Sequence, residues 1–221
     1  LYYRANTVVP DAFGKYNDHK AKGYTLDLKK ANKLLDKAGY KLQKNGYRTL
    51  PNGKKFSLKL LSEGGNSSDE RAMIQNYLEQ WKKIGVKVEL KDGRLQEFNS
   101  YIEQLVNDGK GFDVWLSNWA VPMPPTTSVA GNYMPSDPYN FAHFVTKENT
   151  ELIESLSSKK AFNDKYQLKQ FYKWQEYMNK EAYIVPRQFR YSTYVFSKKL
   201  TNISLKPKES YNLWENIAFT K

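Results

Sequence analysis

The stretch Phe112-Asp113-Val114-Trp115-Leu116-Ser117-Asn118-Trp119 is a short apolar run that ends in Asn-Trp, and it predicts a buried strand leading into a long loop. That loop contains Pro122-Met123-Pro124-Pro125 and then Ser136-Asp137-Pro138-Tyr139-Asn140. A loop at the carboxyl end of a strand is where an α/β fold holds its ligand. Trp115 is expected to be a core residue. Trp119, at the end of the strand, is either a core residue or part of a ligand surface.

Upstream of this strand, the hydrophobic periodicity predicts strands that alternate with helices. The order is a strand at 56–60, a helix at about 68–84, a strand at 86–90, a helix at about 95–108 and the strand at 112–117. Strands joined by helices of this length are expected to be parallel, with helices covering the sheet. The strand at 86–90 alternates with charged residues and is expected at an edge. The pattern predicts an α/β fold with a parallel or mixed sheet flanked by helices.

Capping signals mark the expected helix starts. Asp27 is the expected N-cap of an earlier helix over 27–38, and Ser67 with Glu70 forms a capping box for the helix at 68–84. The turn sequences Asn45-Gly46 and Pro51-Asn52-Gly53 predict a hairpin excursion between the first helix and the first strand. Beyond the long loop, the pattern predicts a short helix over 149–157, a buried aromatic-rich helix over 163–181, and a strand-like tail at 189–196, 203–205 and 211–219.

Because the carboxyl ends of parallel strands meet at one sheet edge, the loops after these strands are expected to face one crevice. Loop residues that offer amide, carboxylate and aromatic groups there are candidates for holding a ligand. The expected ligand-binding residues are Glu63, Asn66, Asn118, Trp119, Tyr133 and Asn140. The alternative role for these side chains is packing.

Composition limits the possible classes of function. The 221 residues include no cysteine, which excludes disulfides, thiol catalysis and zinc-thiolate sites and leaves the redox compartment undetermined. No run of about 18 apolar residues predicts a membrane span. The first residues lack the pattern of a signal peptide, so the chain is expected to have been cut from something longer.

The formal net charge of +12 creates a positive field that attracts nucleic acid, anionic lipid headgroups or acidic polymers. The lysines are spread along the whole chain, and arginine, the usual reader of bases, is scarce. In the cluster Phe171-Tyr172-Lys173-Trp174, helical geometry points the side chains in different directions, so they cannot form one stacking platform. A basic domain that binds nucleic acid or an anionic polymer is therefore kept only as the alternative function.

An enzyme is not predicted. The chain has two histidines, His19 and His143, and contains neither a Gly-x-Ser-x-Gly elbow nor a metal-binding spacing such as His-x-x-x-His. Asp113 is expected to be a capping or strand-edge carboxylate rather than a catalytic group. No cofactor and no metal is predicted, and no nucleic acid is expected as a partner.

Five segments, taken in order, resemble the carboxyl-terminal half of extracellular solute-binding proteins of family 5, which serve oligopeptide and dipeptide ABC importers. The most specific is Leu78-x-x-Trp81-Lys82-Lys83-Ile84-Gly85-Val86-x-Val88-x-Leu90, a long helix followed by an Ile-Gly-hydrophobic-x-Val strand. The others run from Asp27 to Tyr40, Pro51 to Leu58, Phe112 to Trp119 and Ala182 to Pro186.

The resemblance implies one lobe of a two-lobed clamshell with the type II periplasmic-binding-protein fold. Residues 1–187 are expected to form the carboxyl-terminal lobe, and residues 188–221 a tail that returns toward a first lobe outside this chain. Trp119 corresponds to the family's ligand-facing tryptophan. Many Gram-negative members carry an aspartate three residues later that pairs with the amino terminus of the peptide, whereas this chain has Pro122.

The resemblance further implies a monomer that captures oligopeptides and delivers them to ABC transporter permease subunits. The composition, rich in lysine, tyrosine and asparagine, is similar to that of low-GC Gram-positive proteins. In such relatives a lipid anchor, here outside the sequence, holds the protein at the outer face of the cell membrane. Which peptides are bound, what their length is, and whether the role is nutrition, pheromone sensing or recycling of cell-wall peptides stay open.

Overall fold

The computed structural model describes residues 2–64, 68–106, 110–203 and 216–220. The strands are β1 (Tyr2–Arg4), β2 (Ser57–Ser62), β3 (Lys87–Leu90), β4 (Val114–Leu116), β5 (Gln188–Arg190), β6 (Leu200–Thr201) and β7 (Ala218–Phe219). The helices are α1 (Leu28–Lys37), α2 (Ser68–Lys83), α3 (Phe98–Val106), α4 (Pro125–Gly131), α5 (Lys147–Ser155) and α6 (Asp164–Glu181). Short 3₁₀ helices lie at Asp11–Tyr16, Lys91–Gly93 and Lys159–Phe162. None of the helices in these ranges is both long and apolar enough to cross a membrane.

Residues 25–119 form one compact unit, which is built on a parallel sheet. The strand order is β3-β2-β4, with Leu58 opposite Val88 and Leu61 opposite Trp115. The parallel sheet flanked by helices confirms the predicted fold class, and β3 lies at an edge as expected. The prediction that β4 is a buried strand was wrong. Within the described residues β4 has a neighbour on one side only, so Trp115 is half-buried instead of a core residue.

Local hydrogen bonds determine where the helices in this unit begin. Asp27 caps α1 as predicted, because its side chain accepts from the Lys30 amide at 2.8 Å. The predicted capping residue Ser67 lies outside the described residues. Helix α3 begins three residues later than expected because Gln96 forms a parallel bridge with Glu63 before the helix starts. The predicted hairpin is present as antiparallel bridges Leu42↔Arg48 and Thr49↔Lys55.

The second unit comprises residues 1–24 and 120–221, and its core is built around α6. Phe171, Trp174 and Met178 are fully buried on this helix, which confirms the prediction of a buried aromatic-rich helix. Helix α5 begins two residues earlier than expected because the Thr146 side chain caps it, accepting from the Asn149 amide at 3.1 Å. The rest of the core consists of Val9, Val129, Ala130, Ile153 and Leu156.

Buried amides on α6 attach the amino-terminal segment to this unit. Gln175 accepts a hydrogen bond from the Asp18 amide at 3.2 Å and donates one to the Tyr16 carbonyl at 2.9 Å. One turn later, Asn179 donates to the Asn6 carbonyl at 2.8 Å. Because each amide satisfies backbone groups that would otherwise be buried without partners, residues 5–24 pack on α6 although more than 150 residues separate them in sequence.

The loop after β4 and the carboxyl-terminal tail differ in part from the prediction. The loop contains α4, which begins at Pro125, where a proline fits the first turn of a helix. The first expected tail strand is shortened to β5, which pairs antiparallel with β1, with Tyr3 opposite Phe189. Strands β6 and β7 form a second short pair. Most of the expected strand at 203–205 and most of the one at 211–219 lie outside the described residues. The division at residue 187 stays a prediction.

Candidate functional site

The carboxyl edge of the parallel sheet in the unit 25–119 brings together residues from three loops. Strands β2, β3 and β4 end at Ser62, Leu90 and Leu116. Because these strands are parallel and adjacent, the residues that follow them lie at one edge. Glu63, the 3₁₀ turn at Lys91–Gly93 and the pair Asn118-Trp119 therefore share this edge. Asn66, which was predicted to lie with them, falls outside the described residues.

Trp119 is the largest apolar side chain predicted for this site, and it is 50% exposed. Asn118, the preceding residue, is also exposed. A half-exposed indole offers an apolar face for stacking and an N–H that donates hydrogen bonds. The neighbouring amide adds both a donor and an acceptor. This pair therefore has the groups needed to bind a ligand that is partly apolar and partly rich in hydrogen-bonding groups.

Two residues that the sequence reasoning missed hold the loops of this edge in place. Gln96 is buried, its amide donates to the Ser62 carbonyl at 2.9 Å, and its side chain donates to the carbonyls of Lys91 and Arg94. Tyr101 donates from its hydroxyl to the Leu116 carbonyl at 2.7 Å, at the end of β4. No sequence signal identifies Gln96, since a glutamine beside a helix is ordinarily solvated.

The predicted site residues Tyr133 and Asn140 belong to the second unit. The Tyr133 ring lies against Trp174 and Tyr183, with ring centroids 5.7 and 5.8 Å away, and burial raises the pKa of its hydroxyl to about 12. Asn140 is buried and donates from its side chain to the carbonyls of Met134 and Phe144 at 3.3 and 3.2 Å. These contacts give both side chains a structural role, and ligand contact by them stays a prediction.

Charged groups on the sheet pair with one another. Lys87 and Lys59 lie 2.8 and 3.2 Å from the carboxylate of Glu89, and they lower its pKa to about 2. Asp113 accepts from the Lys59 amide at 2.7 Å, which confirms its expected role as a strand-edge carboxylate.

Within the ranges that the structure describes, no three His, Asp or Glu side chains form a group able to hold a metal ion. The chemistry that this edge offers is stacking, hydrogen bonding and charge.

Comparison with known families and proteins places this geometry in context. Residues 1–141 match the family model described as bacterial extracellular solute-binding proteins, family 5 Middle. The oligopeptide-binding protein OppA of Lactococcus lactis subsp. cremoris strain SK11 is 39% identical over 204 residues, which make up 91% of this chain and 34% of the relative. The chain thus spans about a third of the length of the curated relatives it matches.

The solved structures that are similar in three dimensions include two peptide-bound proteins. Lactococcal OppA, complexed with an endogenous peptide in the closed conformation, has a TM-score of 0.83 and 35% identity, and the match covers 99% of this chain and 40% of that one. AppA from Bacillus subtilis, solved with a nonapeptide, has a TM-score of 0.69 at 19% identity, covers 99% and 43% of the two chains, and shows a shared fold.

Proposed function

Since the chain belongs to the bacterial extracellular solute-binding proteins of family 5, we propose that it is the carboxyl-terminal lobe of a protein that captures oligopeptides for an ABC importer. The family match confirms the resemblance drawn from the five sequence segments. The likeness to lactococcal OppA in complex with a peptide, over 99% of this chain, supports peptides as the ligand class.

The observation that carries this proposal is the half-exposed Trp119 at the carboxyl edge of the parallel sheet. A solute-binding lobe needs an apolar surface with hydrogen-bonding groups close by, and Asn118 and Glu63 provide such groups at the same edge. We assign Asn66 to the same set because it follows β2. Peptide backbones present N–H and C=O groups at regular intervals, which amide and carboxylate side chains can satisfy.

Pro122 stands three residues after Trp119, where many Gram-negative members carry an acidic residue. Because proline has no ionisable group, we propose that the amino terminus of the peptide is not held by a carboxylate at this position. The peptide is then held through its backbone, or through a different clamp. Within the second unit, taken by itself, we propose Tyr133 and Asn140 as candidate ligand contacts.

The wider setting follows from the family. We propose that the protein works as a monomer on the outer face of a Gram-positive cell membrane, held there by a lipid anchor outside this chain. Its proposed macromolecular partner is the permease of the importer. We propose no catalytic activity and no cofactor for it.

The alternative of nucleic-acid binding loses one of its two supports in the structure. Phe171 and Trp174, which belong to the aromatic cluster that suggested base stacking, are both fully buried. Buried rings cannot stack on bases. The formal net charge of +12 is the support that remains.

Isothermal calorimetry with a mixed peptide library tests the proposal. In a protein that carries this chain together with the first lobe, we expect clear peptide binding. The chain alone is expected to bind weakly or undetectably, because a closed site hides about 70 to 90% of its ligand and one lobe cannot do this. Absence of binding by the two-lobed protein would overturn the proposed function. Micromolar or tighter binding by the single lobe would overturn trapping between two lobes.

A further inference from the structure

The exposed side of α6 carries a row of lysines that the fold does not explain. Lys165, Lys169 and Lys173 recur every four residues, so they lie on one side of the helix, and all three are exposed. We call these three residues the lysine stripe. Like charges at this spacing repel one another and destabilise a helix. The stripe is therefore not a device for stabilising α6.

Among the residues that the structure describes, no ion pair involves the stripe, although the exposed Glu176 follows Lys173 by three residues. The ion pairs found in the described part of this unit involve other lysines, namely Lys15, Lys147 and Lys180. Asp164, the acidic residue at the start of α6, lies 3.7 Å from Lys15. Residues 159–173 contain five lysines and this single acidic residue. A concentrated positive charge thus remains available to an anionic partner.

An exposed aromatic side chain lies just before the stripe. Phe162 ends the 3₁₀ helix at Lys159–Phe162 and is 93% exposed. The exposed Lys159 and Lys160 precede it in the same short helix. Together with Asn163 and Tyr166, these residues line an open depression at the start of α6. Almost complete exposure of a phenylalanine is unfavourable in water, because its apolar surface is left unburied. A partner that covers the ring and neutralises the lysines would remove both penalties.

We propose that Phe162, Lys159, Lys160 and the lysine stripe form a surface that contacts an anionic lipid membrane. An aromatic ring that enters the boundary between headgroups and acyl chains, beside lysines that meet acidic headgroups, is the usual composition of an interfacial contact. Clusters of four to eight basic residues bind anionic lipid surfaces, and each lysine strengthens the binding by a factor of roughly five. The contact is weak and reversible, and it is separate from the proposed peptide site.

Co-sedimentation of the chain with lipid vesicles tests this surface. We expect binding to phosphatidylcholine vesicles that contain phosphatidylglycerol, little binding to pure phosphatidylcholine, and loss of binding in high salt. The triple variant K165Q/K169Q/K173Q should bind about 100-fold more weakly. F162A should also bind more weakly, by about tenfold or more, because a buried aromatic ring contributes strongly to interfacial binding.

Matched controls separate this surface from the effect of net charge. On α1, the exposed Lys29, Lys33 and Lys37 have the same spacing, so K29Q/K33Q/K37Q removes equal charge elsewhere. Val195 is 91% exposed in the same unit as Phe162, so V195A removes an exposed apolar side chain at another place. Both controls should keep vesicle binding, and circular dichroism should show that all variants are folded.

Several results would overturn the proposal. One is an equal loss of vesicle binding in K165Q/K169Q/K173Q and K29Q/K33Q/K37Q. The others are unchanged vesicle binding by F162A and absence of binding to the anionic vesicles. Binding to a single-stranded DNA oligonucleotide that depends on the stripe and is tighter than binding to the vesicles would show that nucleic acid is the partner instead.

Discussion

The guanidinium of Arg48 donates a hydrogen bond to Asp36 at 2.6 Å, and the arginine side chain is 2% exposed whereas the aspartate side chain is 63% exposed. The same guanidinium also donates to the Ile84 and Tyr40 carbonyls and to the Asn32 side chain. One buried arginine thus connects α1, the hairpin and the end of α2. It differs from a surface ion pair, because three of its four hydrogen-bond acceptors are neutral groups and the arginine side chain is buried.

Replacing Arg48 by methionine is expected to lower the free energy of unfolding by about 2 to 4 kcal/mol, because buried acceptors lose their donors. D36N is the control: it keeps an acceptor oxygen on an exposed side chain, so the loss should be about 1 kcal/mol. Urea unfolding followed by circular dichroism measures both. An equal loss of unfolding free energy in R48M and D36N would contradict the view that the buried carbonyl contacts account for most of the stabilisation by Arg48.

Gly85 ends α2 with φ +76°, and an added Cβ would lie 2.7 Å from Leu42 Cδ1 and 3.0 Å from Arg48 Cγ. G85A is therefore expected to destabilise the chain by about 2 to 4 kcal/mol, from backbone strain together with overpacking. Gly93 has φ +69° but no atom within 4 Å of the same position, so G93A should lose only about 1 to 2 kcal/mol. Comparable unfolding midpoints for the two variants would show that crowding at Gly85 is unimportant.

Asn149 is fully buried in the second unit, where its Oδ1 accepts from Trp174 Nε1 and from the Tyr183 hydroxyl, each at 3.2 Å. N149A leaves both donors without this acceptor and should lower the free energy of unfolding by about 2 to 4 kcal/mol. Asn163, the exposed N-cap of α6, provides a comparison, since N163A should lose only about 1 kcal/mol. A smaller effect at Asn149 than at Asn163 would contradict this ranking.

Glu89 should titrate far below ordinary glutamates, because Lys87 and then Lys59 stabilise its charged form and lower its pKa to about 2. Since the folded pKa lies below the ordinary value of 4.5, the contribution of Glu89 to stability is present above pH 4.5. It is lost as the pH falls from about 4.5 to about 2. Carbon-13 NMR of the side-chain carboxyl measures this pKa directly.

Substitution of the two lysines provides the control for Glu89. K87M should raise its pKa more than K59M does, and 1 M salt should reduce the shift because the group is exposed. An ordinary pKa for Glu89 in the unaltered protein, or an equal rise of its pKa in K87M and K59M, would contradict the assignment of Lys87 as the stronger partner.

W119A should weaken peptide binding by about 1 to 3 kcal/mol in the two-lobed protein while leaving its melting temperature unchanged, because the indole is half-exposed and can offer its apolar face as an anchor for the ligand. Trp115 pairs with Leu61 within the sheet, so W115A should lower the melting temperature of the protein. Calorimetry and thermal unfolding measure the two effects. Unchanged binding by W119A together with a lower melting temperature would assign Trp119 to packing.

Local patterns in the sequence account for the sheet and for the candidate site residues at its carboxyl edge. The alternation of strands with capped helices is sufficient to place β2, β3 and β4 in parallel, since helical crossovers of this length allow that arrangement. Parallel strands in turn put Glu63 and Asn118-Trp119 at a common edge. The aromatic-rich composition of α6 likewise predicts its burial, and the structure buries Phe171, Trp174 and Met178.

The sequence by itself determined the order of the elements and their apolar faces, because these depend on residues close together in the chain. Only the tertiary structure decided which polar residues become buried, as at Arg48, Gln96, Asn149 and Gln175. The same holds for the pairing of β1 with β5 and for the burial of Asn140. A buried polar side chain is stable only where distant backbone and side-chain groups satisfy it, and those partners come from parts of the chain that local periodicity does not connect.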